Sequence, residues 1–123
     1  MPTKATPTPG PQLLTPKDHI LILIDFQSQM AFATKSIDVV LLRNNAALLS
    51  HTAVGFGVST ILTTVAEKIF SGPMFTEISD AFPGQRALDR TSMNTWEDAA
   101  VNAPVNEIGK TRMVLAGLWT GVC

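Results

Sequence analysis

The stretch His19-Ile-Leu-Ile-Leu-Ile-Asp25 decides how this chain folds. Five aliphatic residues, Ile20 to Ile24, follow one another without a polar break. A strand with one wet face alternates, because successive side chains point to opposite sides of a sheet. An unbroken run suits a strand covered on both faces, as in a parallel sheet between layers of helices. The run stops at Asp25. In an open α/β sheet, ligands bind outside the carboxyl ends of the strands, so a carboxylate at this point is a candidate for chemistry.

Working outward, the rest of the chain supports the same architecture. Residues 36–54 read as a helix, with Ser36 as cap, Asp38 in the first turn, and Val39, Leu42, Ala46, Leu49 and Ala53 at helical spacing. Gly55 and Gly57 stop it. Val58 to Thr64 is β-branched and predicts a second strand. Thr76 to Ala81 predicts a short helix, and Arg86 to Leu88 a short strand. Thr95 to Ala103 reads as partly helical, with Thr95 and Asp98 spaced like a capping box. Pro104 is expected to open a second helical piece that ends at Gly109. Met113 to Ala116 predicts the last buried strand. The order of elements predicts an α/β domain with a parallel sheet. Residues 1–17 hold five of the eight prolines and read as a flexible, partly polyproline tail before a domain over 18–123.

Composition excludes several classes of function. The chain has 123 residues, and 9 basic against 10 acidic side chains leave a net charge of −1. That balance argues against non-specific binding to nucleic acid or to an anionic membrane. The apolar run is far shorter than the roughly 20 residues of a membrane span. No secretory signal is visible, so a reducing, cytoplasmic setting is the expectation. One cysteine, Cys123, excludes an intrachain disulfide and a multi-thiolate zinc site. His19 and His51 are not spaced as a ligand pair, so neither a metal nor another cofactor is expected. Gly109-Lys-Thr111 resembles the end of a phosphate-binding loop, but Pro104 stands where its first glycine is needed and a strand follows instead of a helix.

Sorting polar residues by strand end gathers Asp25, Thr63, Thr64, Asp89, Arg90, Trp119, Thr120 and Cys123 on one rim. A base and a cation beside a thiol favour its deprotonation. Backbone N–H groups after Gly117 stand where an oxyanion would form. Position alone leaves other roles open. Asp25 serves equally as a turn cap, Arg90 as a solvated partner of Asp89, and Cys123 as a small apolar residue. Phe26, Phe70, Met93 and Trp119 fit a pocket wall or a core.

Three blocks sharpen this set: Ile22-Leu-Ile-Asp25-Phe-Gln27, Asp89-Arg-Thr-Ser-Met-Asn-Thr-Trp-Glu-Asp98 and Ala116-Gly-Leu-Trp-Thr-Gly-Val-Cys123. In this order and spacing they resemble the isochorismatase-like cysteine hydrolases. Ser71-Gly-Pro73 and the Arg90–Trp96 stretch are most similar to the YcaC-like branch, whose substrates are poorly assigned. The resemblance implies a three-layer α/β/α, Rossmann-type domain with a mostly parallel sheet, of which this chain is the N-terminal portion. It implies Asp25 as general base and Cys123 as nucleophile, forming a thioester that water cleaves. The family's lysine falls on Arg90, which keeps the charge but, with a pKa above about 12, cannot act as general acid. It implies a cis bond between Leu118 and Trp119, and an oxyanion hole from the N–H groups of Trp119 and Cys123. Phe26, Gln27, Asn94, Trp119 and Thr120 are the expected substrate-pocket residues, for a small amide-type (C–N) substrate in a homo-oligomer.

Family members continue past the cysteine into a helix, whose N-terminus lowers a thiol pKa. A chain ending at Cys123 places a carboxylate there instead, which opposes thiolate formation. The expectation is therefore an impaired or inactive hydrolase. The alternative is a non-catalytic α/β remnant whose open sheet edge needs a partner. A flavodoxin-like nucleotide-binding domain ranks last, because Phe26-Gln-Ser-Gln29 replaces a glycine-rich loop.

Overall fold

The computed structural model describes residues 10–123. Four strands form one parallel sheet: β1 (His19–Ile24), β2 (Ser59–Val65), β3 (Leu88–Arg90) and β4 (Arg112–Gly117), in the spatial order β3-β2-β1-β4. The helices are α1 (Ser28–Phe32), α2 (Val39–Phe56), α3 (Thr76–Ser79) and α4 (Ala99–Ile108). A π-helical turn, Glu67–Ser71, and a 3-10 turn, Thr95–Glu97, complete the chain.

The aliphatic run of β1 explains the layering. Leu21 and Leu23 pack on one face with Leu62, Ala46 and Ala53 of α2, and Phe75 and Ile78 around α3. Ile20 and Ile22 pack on the other face with Ile61 and with Val101 and Val105 of α4. Both faces are thus covered, and the expected α/β/α arrangement with a parallel sheet is present. From β1 the chain moves through β2 to β3 on one side, then crosses to β4 on the other. The carboxyl ends of β1 and β4 therefore flank the point where the strand order reverses, and a crevice opens there. At that end a side chain on β4 would be crowded: a Cβ on Gly117 would lie 3.2 Å from the Ile24 carbonyl oxygen.

Several boundaries differ from the sequence reading, each for a local reason. The first long helix starts at Val39, because Asp38 rather than Ser36 caps it, accepting from the N–H groups of Val40 and Leu41 at 3.0 and 3.1 Å. The third strand runs Leu88–Arg90 instead of Arg86–Leu88, so Arg90 lies in the sheet, opposite Val65. Asn94 caps the 3-10 turn and Asp98 caps α4, in place of a Thr95–Asp98 box. α4 runs unbroken through Pro104. The proline removes the N–H that would bond the Ala100 carbonyl, and Ala100 is exposed, so water can serve that carbonyl. α1 and the π-helical turn are additions that no periodicity announced.

Of the 1–17 segment, residues 1–9 lie outside the described residues. Residues 10–17 form turns, and the Arg112 guanidinium donates to the Pro11 carbonyl at 3.1 Å. Among the described residues no helix is long and apolar enough to cross a membrane.

Candidate active site at the carboxyl edge of the sheet

Asp25 turns out of β1 with φ of 55°, one of two non-glycine residues with positive φ among those described. Aspartate is among the side chains that tolerate this left-handed region best. Its N–H donates to the Thr63 carbonyl at 3.2 Å, and its own carbonyl accepts from the Gln27 N–H at 2.9 Å. The carboxylate is 1% exposed. Arg90 meets it as a two-pronged fork: Nη1 to Oδ1 and Nη2 to Oδ2, both at 2.7 Å. The Thr63 hydroxyl adds a third bond to Oδ1 at 3.0 Å. Arg90 also donates to the carbonyls of Thr64 and Met93, at 3.2 and 3.1 Å.

Burying two charges is costly, and such a pair survives only when its geometry is good and its remaining protons are used. Here the fork is bidentate and both terminal nitrogens have a second acceptor, while the buried Nε–H of Arg90 is left without a partner. Burial alone works against the Arg90 charge, but Asp25 more than offsets it and the guanidinium pKa is raised. Asp89, the sequence neighbour, is not its partner. Its carboxylate accepts from the Thr64 hydroxyl at 2.8 Å and the Glu67 N–H at 3.1 Å.

Cys123 comes to the same place by another route. After β4 the chain turns through Leu118–Val122, with the Val122 N–H donating to the Trp119 carbonyl at 3.2 Å. The Cys123 carbonyl is anchored by the buried Thr95 N–H at 2.7 Å. Cys123 thus lines the same cavity as Asp25, close enough for its thiol to feel the charges of both Asp25 and Arg90. Burial pushes its pKa up, the Asp25 carboxylate pushes it further, and Arg90 pulls it back. The net shift is upward, so the resting thiol holds its proton and needs a base to lose it.

A cavity of about 310 Å³ opens in front of these groups, lined by Asp25, Met30, Trp119, Thr120 and Cys123 among others. Asp25, Arg90 and Cys123 are thus brought together, and Trp119 and Thr120 stand on the cavity wall. Three other expected pocket residues are placed elsewhere. Phe26 is core, edge-on to Phe75 with ring centroids 5.9 Å apart. Asn94 spends its side-chain oxygen on the Trp96 N–H. Gln27 is fully buried and turned away, its amide bonded to the Val65 N–H and to the carbonyls of Val65 and Gly72. Phe70 and Met93 are exposed. The implied cis bond between Leu118 and Trp119 is absent: every described peptide bond is trans. Trans is the form favoured by about 3–4 kcal/mol unless packing enforces the other, and this segment is only half-buried.

Met30 was not foreseen as a cavity residue, since α1 carries no periodic signal. Gln27 was foreseen in the wrong role. It ties the end of β2 to the Gly72 turn, and no sequence pattern separates a buried staple from a substrate contact. Among the described residues no three His, Cys, Asp or Glu side chains gather as metal ligands. His19 bonds the Thr15 carbonyl at the opposite end of β1, and His51 is exposed on α2.

No family model matches the chain. It is 30% identical over 111 residues to the probable hydrolase YcaC of Escherichia coli, an alignment covering 89% of this chain and 53% of that protein. The crystal structure of Escherichia coli YcaC, an octameric hydrolase of unknown specificity, superposes with a TM-score of 0.85 at 30% identity, over 94% of this chain and 57% of that one. Pseudomonas aeruginosa YcaC, solved with hexane-2,5-diol and covalent acrylamide, gives a TM-score of 0.85 at 26% identity, over 94% and 58%. The chain therefore spans a little over half the length of the relatives it matches. Within that span, sequence and fold together are those of the YcaC-like proteins.

Proposed function

We propose that this chain carries the nucleophile, base and cation of a cysteine hydrolase acting on a small amide-type substrate. The observation that carries the reading is the Asp25–Arg90 fork with Asp25 and Cys123 on the wall of one cavity. Cys123 gives its proton to Asp25, and the sulfur attacks the carbonyl carbon of the C–N substrate. The oxyanion is received by the backbone N–H groups of Trp119 and Cys123. The C–N bond breaks, and the proton held on Asp25 goes to the leaving amine. A thioester remains on Cys123. Water gives a proton to Asp25 and its oxygen attacks the thioester; the acid leaves, and the proton returns to sulfur. Arg90 transfers no proton in this scheme. It orients Asp25 and offsets the negative charge on sulfur.

Covalent acrylamide on Pseudomonas aeruginosa YcaC supports the reading, because acrylamide is an electrophile that thiolates add to. Cys123 is the only cysteine here. The test is adduct formation with acrylamide at neutral pH, followed by intact mass, together with acid release from a panel of small primary and secondary amides. Adduct formation faster than with free cysteine, slowed by Asp25→Asn, is expected. A rate equal to free cysteine and indifferent to Asp25→Asn overturns the reading.

The alternative, a non-catalytic module that a partner covers, is favoured by one observation. β4 is an edge strand, and Met113 and Leu115 on its α4 side are exposed. The octameric state of the Escherichia coli relative points to further copies of the chain as that partner. Sedimentation of the parent against Leu115→Lys tests it: a monomer in both overturns self-association through this edge.

A further inference from the structure

Each oxygen of a carboxylate offers about two sites to donors. At Asp25 these sites are unequally used. Oδ1 accepts from Arg90 Nη1 at 2.7 Å and from the Thr63 hydroxyl at 3.0 Å, so it is full. Oδ2 accepts from Arg90 Nη2 alone, at 2.7 Å. Thr63 is fully buried, and its carbonyl also holds the Asp25 N–H at 3.2 Å. It therefore grips the aspartate at both backbone and side chain.

We propose that Thr63 is a positioning residue that fills Oδ1 of Asp25 and so leaves Oδ2 as the oxygen that takes the Cys123 proton. The proposal rests on the cysteine-hydrolase reading above. In the acrylamide reaction the S–H bond breaks, the proton bonds to Oδ2, and the electron pair on sulfur adds to the terminal alkene carbon. The carbanion so formed takes the proton back from Asp25, and atoms and charge balance. Without the Thr63 hydroxyl, Oδ1 has a vacant acceptor site that competes for the thiol proton, and the carboxylate loses the bond that fixes its plane.

The experiment measures acrylamide adduct formation against pH for the full chain, for Thr63→Val, Thr63→Ser and Asp25→Asn. Thr63→Val keeps the shape of the side chain and removes only the hydroxyl. It is expected to slow the reaction about tenfold at pH values below the titration of the thiol, the scale of one charge-assisted hydrogen bond. Above that titration, where hydroxide removes the proton without help, it is expected to converge on the parent. Thr63→Ser restores the hydroxyl and is expected to restore the low-pH limb. Three outcomes overturn the proposal: Thr63→Val matching the parent at every pH, Thr63→Val slower by one factor at every pH, or Thr63→Ser behaving as Thr63→Val. If Asp25→Asn slows the reaction while Thr63→Val does not, the Thr63 role fails and the cysteine reading stands. If Asp25→Asn changes nothing, both fail.

Discussion

The two halves of the site are built differently. Asp25, Thr63 and Arg90 come from the carboxyl ends of three adjacent strands, β1, β2 and β3, and all are buried. The segment from Gly117 to Cys123 leaves an edge strand, is half-exposed, and is tied back to the β3–α4 connection by the Thr95–Cys123 bond. The charged half is thus fixed by the sheet itself. The thiol half depends on a turn and one anchor. Under the proposed mechanism, a nucleophile on the more exposed half approaches the substrate while the base and cation stay in place, as a preorganised charge pair requires.

This contrast can be broken by substitution. The largest effect is expected for Arg90→Met, which leaves a buried carboxylate without its partner. A loss of about 3–5 kcal/mol in urea unfolding is expected. The double variant Asp25→Leu/Arg90→Met is expected to be more stable than Arg90→Met alone, since no charge is left buried and unpaired. Equal losses in the two would show that packing, not charge, holds this half. Next comes Gly72→Ala. Gly72 has φ of 74° and ψ of −178°, and a Cβ there would lie 2.6 Å from the Ser28 hydroxyl oxygen. A loss of about 1–3 kcal/mol is expected. It should weaken the Gln27 staple and so the end of β2, with amide hydrogen exchange at Val65 as the readout.

A smaller effect is expected away from the site. Arg43 of α2 forks onto Glu77 of α3 at 2.7 and 2.8 Å, and lies 4.6 Å from the centre of the Phe75 ring. The bond from Arg43 holds the Glu77 carboxyl below its usual range. Both side chains are about a third exposed, so Glu77→Gln is expected to cost about 1 kcal/mol or less. Because the folded pKa is depressed, that contribution is full above the ordinary carboxylate value, about 4.3, and is lost as pH falls through the folded value. Parent and variant melting temperatures should therefore differ at neutral pH and converge on acidification. The smallest effect belongs to the exit segment. Thr120→Ala is expected to change stability by less than about 0.5 kcal/mol. A loss comparable with Arg90→Met would mean that both halves are fixed by the same packing.

Much of this was legible in the order of residues. The unbroken Ile20–Ile24 run required two covered faces, and Leu21/Leu23 and Ile20/Ile22 divide between them as strand geometry dictates. The rim of Asp25, Arg90 and Cys123 followed from sorting polar residues by strand end, and the three motif blocks named the same residues. Two of the misplaced pocket residues share a cause. Phe26 and Gln27 follow Asp25 directly, but an αL residue reverses the side-chain alternation that a continuing strand would have kept. Both therefore turn into the interior instead of the cavity.

The sequence by itself determined the layered sheet, the end of it that carries polar groups, and the residue types available there. Those depend on hydrophobic periodicity and on the chemistry of single side chains, which are local properties. Tertiary structure alone decided partners. Arg90 pairs with Asp25, 65 positions away, and not with adjacent Asp89. Thr63 reaches the same carboxylate from 38 positions away. Such pairings depend on parallel register across β1, β2 and β3, where a shift of one residue turns a side chain to the opposite face.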